Sequence, residues 1–200
     1  MPRRIYSFDI PDRFICGAVG QPGQRTFYLQ AAKGDRVVSV ALEKAQVAVL
    51  AERLATLLLA LRQGGVAIGT DAVSQEPKLD EPVVEQFRVG TLTLGWDSER
   101  EQVVIEAREL TDADEEDDDE EEADEETVAG DPPRERAVVI ASDLADGPDV
   151  VRVQLEPEQA LTFATGAVAT VQAGRPPCPN CGQPLEPTGH FCPRRNGYTN

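Results

Sequence analysis

Histidine is almost missing from this chain: His190 is the sole one in 200 residues. The commonest general base is therefore scarce, and a Ser–His or Cys–His pair is excluded if His190 is needed elsewhere. No Gly-x-Ser-x-Gly elbow occurs, and the glycines of Gly64-Gly65-Val66-Ala67-Ile68-Gly69 lack the lysine and preceding strand of a phosphate loop. Long apolar runs are missing too. The most apolar segment, Val47 to Leu61, is too short to span a bilayer and carries Glu52-Arg53 near its middle. Arg3 and Arg4 would suit the start of a secretory signal, but Phe8-Asp9-Ile10-Pro11-Asp12-Arg13 stands where its apolar stretch must be. Cysteines number four, three of them crowded into the tail, unlike the framework of a secreted disulfide protein. The expectation is a cytoplasmic protein with no membrane partner.

Positive charge is also in short supply, 19 Lys and Arg against 36 Asp and Glu, a net charge of −17. Acids fill Asp112 to Glu126 except at Ala113 and Ala123; without those 13 charges the net is −4, ordinary for a cytosolic domain. Such a run can neither bury apolar area nor tolerate its own repulsion when compact, which predicts a disordered acidic loop over 111–131. It is either a lure for a basic partner, a mimic of nucleic-acid charge, or a solubilising insertion. Its sign argues against this loop touching DNA or RNA.

What is present reads as strands followed by a helix, twice. Phe14 to Gly20, Arg25 to Lys33 and Arg36 to Leu42 are strands separated by the turns Gln21-Pro22-Gly23-Gln24 and Lys33-Gly34-Asp35. From Glu43 to Arg62 the period becomes helical, with Val47, Leu50, Leu54, Leu57, Leu58 and Leu61 in one stripe. After a polar connector to about Pro82, Phe87 to Trp96 and Gln102 to Glu109 read as a hairpin across Asp97-Ser98-Glu99-Arg100. Arg136 to Ser142 and Val150 to Leu155 read as a further strand pair, and Glu156 to Ala173 as a helix. Setting Val37 on Val150 aligns Val40 with Val153, Leu42 with Leu155, Glu43 with Glu156 and Gln46 with Gln159. The match is either an internal repeat or a coincidence of common residues. A repeat predicts an α+β domain over residues 1–174, two meander-plus-helix halves on a mainly antiparallel sheet with two packed helices.

Residues 175–200 read as a small zinc knuckle. Cys178-Pro179-Asn180-Cys181-Gly182 brings two thiolates together across a tight turn, and His190 and Cys192, two residues apart, project to one side of an extended segment. The resulting Cys3His set is a closed tetrahedral site for structural Zn2+, with no open position for catalytic water. Three other readings compete: a redox dithiol, iron or an iron–sulfur centre, and a chance cluster. Gly182-Gln183-Pro184 is poor material for the helix a redox dithiol opens.

The segments Phe8 to Phe14, Gly20 to Gln30, Leu42 to Val47, Leu94 to Asp97 and Gly189 to Tyr198 together resemble an uncharacterised actinobacterial family of conserved hypothetical proteins. The resemblance spans nearly the whole chain and implies a cytosolic protein; it brings no activity. Cys16 occupies a position expected to be apolar, which marks it as a core residue.

Three functions remain open. The leading one is a cytosolic, non-enzymatic binding or adaptor protein with an unknown protein partner, the enzyme class being unassigned but disfavoured. A second is an enzyme or small-anion-binding protein using Asp9, Asp12, Arg13 and Arg25, near Gln30, as its ligand surface. A third is an RNA-associated factor acting through Arg194, Arg195 and Tyr198 of the basic tail.

Overall fold

The computed structural model describes residues 3–21, 23–69, 78–111 and 146–173, together with Cys178, Asn180, Cys181 and Arg194. Seven strands and two helices follow one another: β1 Ile5–Asp9, β2 Arg13–Val19, β3 Thr26–Lys33, β4 Arg36–Leu42, α1 Lys44–Gln63, β5 Glu85–Asp97, β6 Gln102–Glu109, β7 Val150–Leu155 and α2 Pro157–Gln172. The strand expected at Arg136 to Ser142 and the acidic run from Asp112 lie outside the described residues.

The strands form one sheet in the order β1-β7-β6-β5-β4-β3-β2. Four pairings are antiparallel; β1 with β7 and β4 with β5 are parallel. The α+β fold is thus the expected pair of halves, β2-β3-β4-α1 and β5-β6-β7-α2, each an antiparallel meander that runs into a helix. Both helices open on the same device. Gln46 Oε1 accepts the N–H of Glu43 at 2.8 Å, and Gln159 Oε1 accepts that of Glu156 at 3.1 Å, each within a reciprocal capping box.

Register relates the halves residue by residue. Leu29 pairs with Val40 and Cys16, as Ile105 pairs with Val153 and Leu94. Superposing Val40 on Val153 therefore puts Leu29 on Ile105, Arg25 on Glu101 and Thr26 on Gln102. The parallel contacts follow the same exchange. β1 lies beside the last strand of the second half, and the first part of β5 lies beside the last strand of the first.

This arrangement forces the sheet to roll. Its edge strands, β1 and β2, are joined by Ile10, Pro11 and Asp12 alone. Asp9 and Arg13 can then be no more than about 15 Å apart, whereas a flat sheet of this width separates its edges by about 29 Å. Side chains close the roll. Lys33 Nζ donates to the Asp9 carbonyl and Arg36 Nη1 to that of Ser7, at 3.3 Å, capping carbonyls on the outer edge of β1. The Arg36 guanidinium also sits 4.7 Å from the ring centre of Phe8. Beside the other edge, Thr170 Oγ1 of α2 donates to the Cys16 carbonyl of β2 at 3.0 Å.

Both helices pack on one sheet face, where a single apolar core joins Phe8, Phe14, Leu29, Val40, Leu54, Ile105, Val153 and Phe163. Phe14 stacks on Phe163 with ring centres 4.4 Å apart. Cys16 lies within this core, 1% exposed, and burial pushes its thiol pKa up to about 12. Over β2 to β4 the opposite face is covered by residues 78–84. Leu79 of that strap is buried against Gly17, where a Cβ would come within 2.5 Å of Leu79 Cγ. Among the described residues, no helix is long and apolar enough to cross a membrane.

Candidate functional site

The Asp/Arg surface expected near the N-terminus is divided among four separate structural bonds. Arg13 points to the outer sheet face, where its Nη2 meets Gln30 Oε1 at 3.2 Å and pairs with Asp80 of the strap. Asp12 Oδ2 accepts the Gly34 N–H at 2.7 Å, closing the β1–β2 connection onto the β3–β4 turn. Arg25 Nη1 donates at 2.5 Å to the carbonyl of Ala173, at the C-terminal end of α2. Asp9 Oδ1 accepts from Gln102 Nε2 at 3.4 Å.

Gln30, expected beside this group, is its buried centre. It is fully buried in a strand because the strap supplies its partners. Its Nε2 donates to Ser39 Oγ at 3.0 Å and to the Asp80 carbonyl at 3.2 Å; its Oε1 accepts the Asp80 N–H at 2.8 Å and the Arg13 contact. Every donor and acceptor position of the amide is filled. Ser39, Asp80 and Gln102 were not among the expected site residues. The sequence signal for them was weak: a serine and a glutamine at strand positions facing away from the core, and an aspartate in a polar connector.

The tail contributes three described positions around its first cysteine pair. Cys178 is buried at 2% exposure, Cys181 is partly exposed, and Asn180 between them is exposed. The Arg194 guanidinium reaches back to the Asn180 carbonyl at 3.4 Å. Residue 194 follows Cys192 by two positions, so the chain returns to the first cysteine pair just after the second ligand pair. His190, Cys192, Arg195 and Tyr198 lie outside the described residues. Among the described residues no three metal-ligating side chains converge.

Fold and site define a class: a duplicated βββα domain that carries a short cysteine-containing tail. The chain belongs to the family described as a protein of unknown function, DUF3090, whose model matches residues 6–192 and so includes both halves and the tail through Cys192. No curated protein and no solved structure matches it.

Proposed function

We propose that this is a cytoplasmic, non-enzymatic binding or adaptor protein of actinobacterial origin whose tail is a structural zinc knuckle formed by Cys178, Cys181, His190 and Cys192. The observation that carries the reading is the return of Arg194 to the carbonyl of Asn180. A Cys-x-x-Cys and a His-x-Cys pair can share one ion only if the intervening loop closes on itself, and this contact supports that closure. Four protein ligands leave no position for catalytic water, so the ion's contribution is to folding. The adaptor part of the reading rests on the fate of the charged N-terminal residues. Asp12, Arg13 and Arg25 each hold a structural partner, which leaves them poorly placed as a catalytic group. Arg194, exposed beside the knuckle, together with Arg195 and Tyr198, forms the contact surface for an acidic protein partner.

Metal analysis of the purified protein tests the site. The expected result is about one zinc per chain, lost in Cys181→Ser. Metal-free protein with intact, unpaired thiols would refute the assignment.

A further inference from the structure

The corner where the β5–β6 turn meets the segment after α1 and the start of α2 holds an open pocket of about 590 Å3, within the range of small-ligand sites. Ile10, Gly65, Glu101, Gln102, Glu156 and Glu158 contribute to its wall. Gln102 is the informative one. It is only 8% exposed, and its Oε1 is buried with no hydrogen-bond partner. Its Nε2 faces Asp9 Oδ1 at 3.4 Å, which sets the amide's orientation, because the flipped form would place oxygen against carboxylate. What remains on the pocket wall is an acceptor in need of a donor.

Charge at the corner has the matching sign. Arg100, also in the wall, is turned toward Asp97 at 4.0 Å. Glu156 belongs to the cap of α2, and Glu158 Oε1 accepts the Gly69 N–H at 3.1 Å. Glu101 enters none of the ion pairs formed among the described residues. It also holds φ 54°, and Ile10 on the same wall φ 45°, a left-handed conformation that a β-branched residue adopts at a cost.

The repeat says what belongs there. Glu101 is the register equivalent of Arg25, whose guanidinium fills the matching corner of the other half by binding the end of α2. One half thus carries a cation at this corner, and the other carries a carboxylate and an unpaired acceptor beside the end of α1. No three metal-ligating side chains converge among the described residues, so the group called for is an N–H donor and not a bare metal ion. We infer that the pocket binds a small organic cation, a guanidinium or primary ammonium group, held by Gln102 Oε1 and the Glu101 carboxylate.

The test is titration of the full-length protein with butylguanidinium and butylammonium, followed by the amide NMR shifts of Gly65, Glu101 and Gln102, with neutral butylurea as control. At least one cation should bind saturably, with butylurea about tenfold weaker or worse. Glu101→Gln, at an exposed position, and Gln102→Met should each weaken the cation by about tenfold. Deleting residues 112–126 should leave binding unchanged, which separates this site from diffuse attraction to the acidic run. The inference is overturned if neither cation saturates these amides, if butylurea binds equally, or if binding ignores Glu101→Gln and disappears with residues 112–126.

Discussion

Replacing Gln30 with leucine keeps nearly the same volume and removes every bond that ties the 78–84 strap to the outer sheet face through this residue. Four contacts are lost: two with the backbone of Asp80, one with Ser39 and one with Arg13. At about 1 kcal/mol net per hydrogen bond the ceiling is about 4 kcal/mol. The Arg13 contact lies in a partly solvated setting and contributes least. A limit also comes from the strap itself. If it lifts, the Asp80 backbone regains water, and the loss then includes burial of Leu79, about 2 kcal/mol. Both routes converge on about 3 kcal/mol. Urea unfolding of Gln30→Leu measures the total, and hydrogen exchange at the Asp80 amide reports the local event, since that N–H donates directly to Gln30 Oε1 at 2.8 Å. A loss below about 1 kcal/mol with the Asp80 amide as protected as in the parent protein would show that Gln30 does not anchor the strap.

The two helix starts should respond alike: Gln46→Ala and Gln159→Ala each break a capping box and a further bond, to Val89 and Gly90 or to Pro11 respectively. Each should cost about 1–2 kcal/mol in chemical denaturation, and a large inequality would count against equivalence of the halves. Burial of Cys16 makes alkaline stability sensitive to one thiol. Between its ordinary value of 9.0 and its folded value of about 12, the unfolded chain releases a proton that the folded chain retains. Its contribution is therefore complete below pH 9 and falls by up to about 1.4 kcal/mol per pH unit above it. Comparing the alkaline stability profiles of the parent and Cys16→Ala measures this; parallel profiles would place the thiol in a polar setting.

Elements whose own side chains carry the burial signal were legible in the sequence. Helix α1 announces itself through Val47, Leu50, Leu54 and Leu58, and β6 through Val103, Ile105 and Ala107, all of which are core residues. The Glu-x-x-Gln starts of both helices were visible as part of the aligned repeat. Strand β1 was not legible, because only Phe8 of its five residues is buried and its partner lies far along the chain. The outer face of β3 misled for a related reason. Gln30 and Ser39 look like solvent-facing positions of alternating strands, yet both are buried by a strap whose sequence, Lys78-Leu79-Asp80, reads as connector. Pattern along one strand cannot reveal what a distant segment lays over it. The candidate residues Asp9, Asp12, Arg13 and Arg25 were legible as polar and charged, but their separate partners depend on where the rolled sheet brings its ends. Of the zinc set, the structure describes Cys178 and Cys181.

The pairing of β1 with β7 also sets a timetable for synthesis. Ile5 leaves the ribosome first, and its register partner is Val150. At about 5–20 residues per second, β1 waits roughly 7 to 30 seconds for the strand it pairs with. Throughout that interval the nascent first half has a parallel partner for neither β1 nor β4, since both are supplied by the second half. Lys33 and Arg36 are made within seconds of β1, and the carbonyls they cap in the finished fold are those of Ser7 and Asp9. The same two cations can therefore shield that edge while translation continues, and the N-terminal strand becomes the last piece stitched into the sheet.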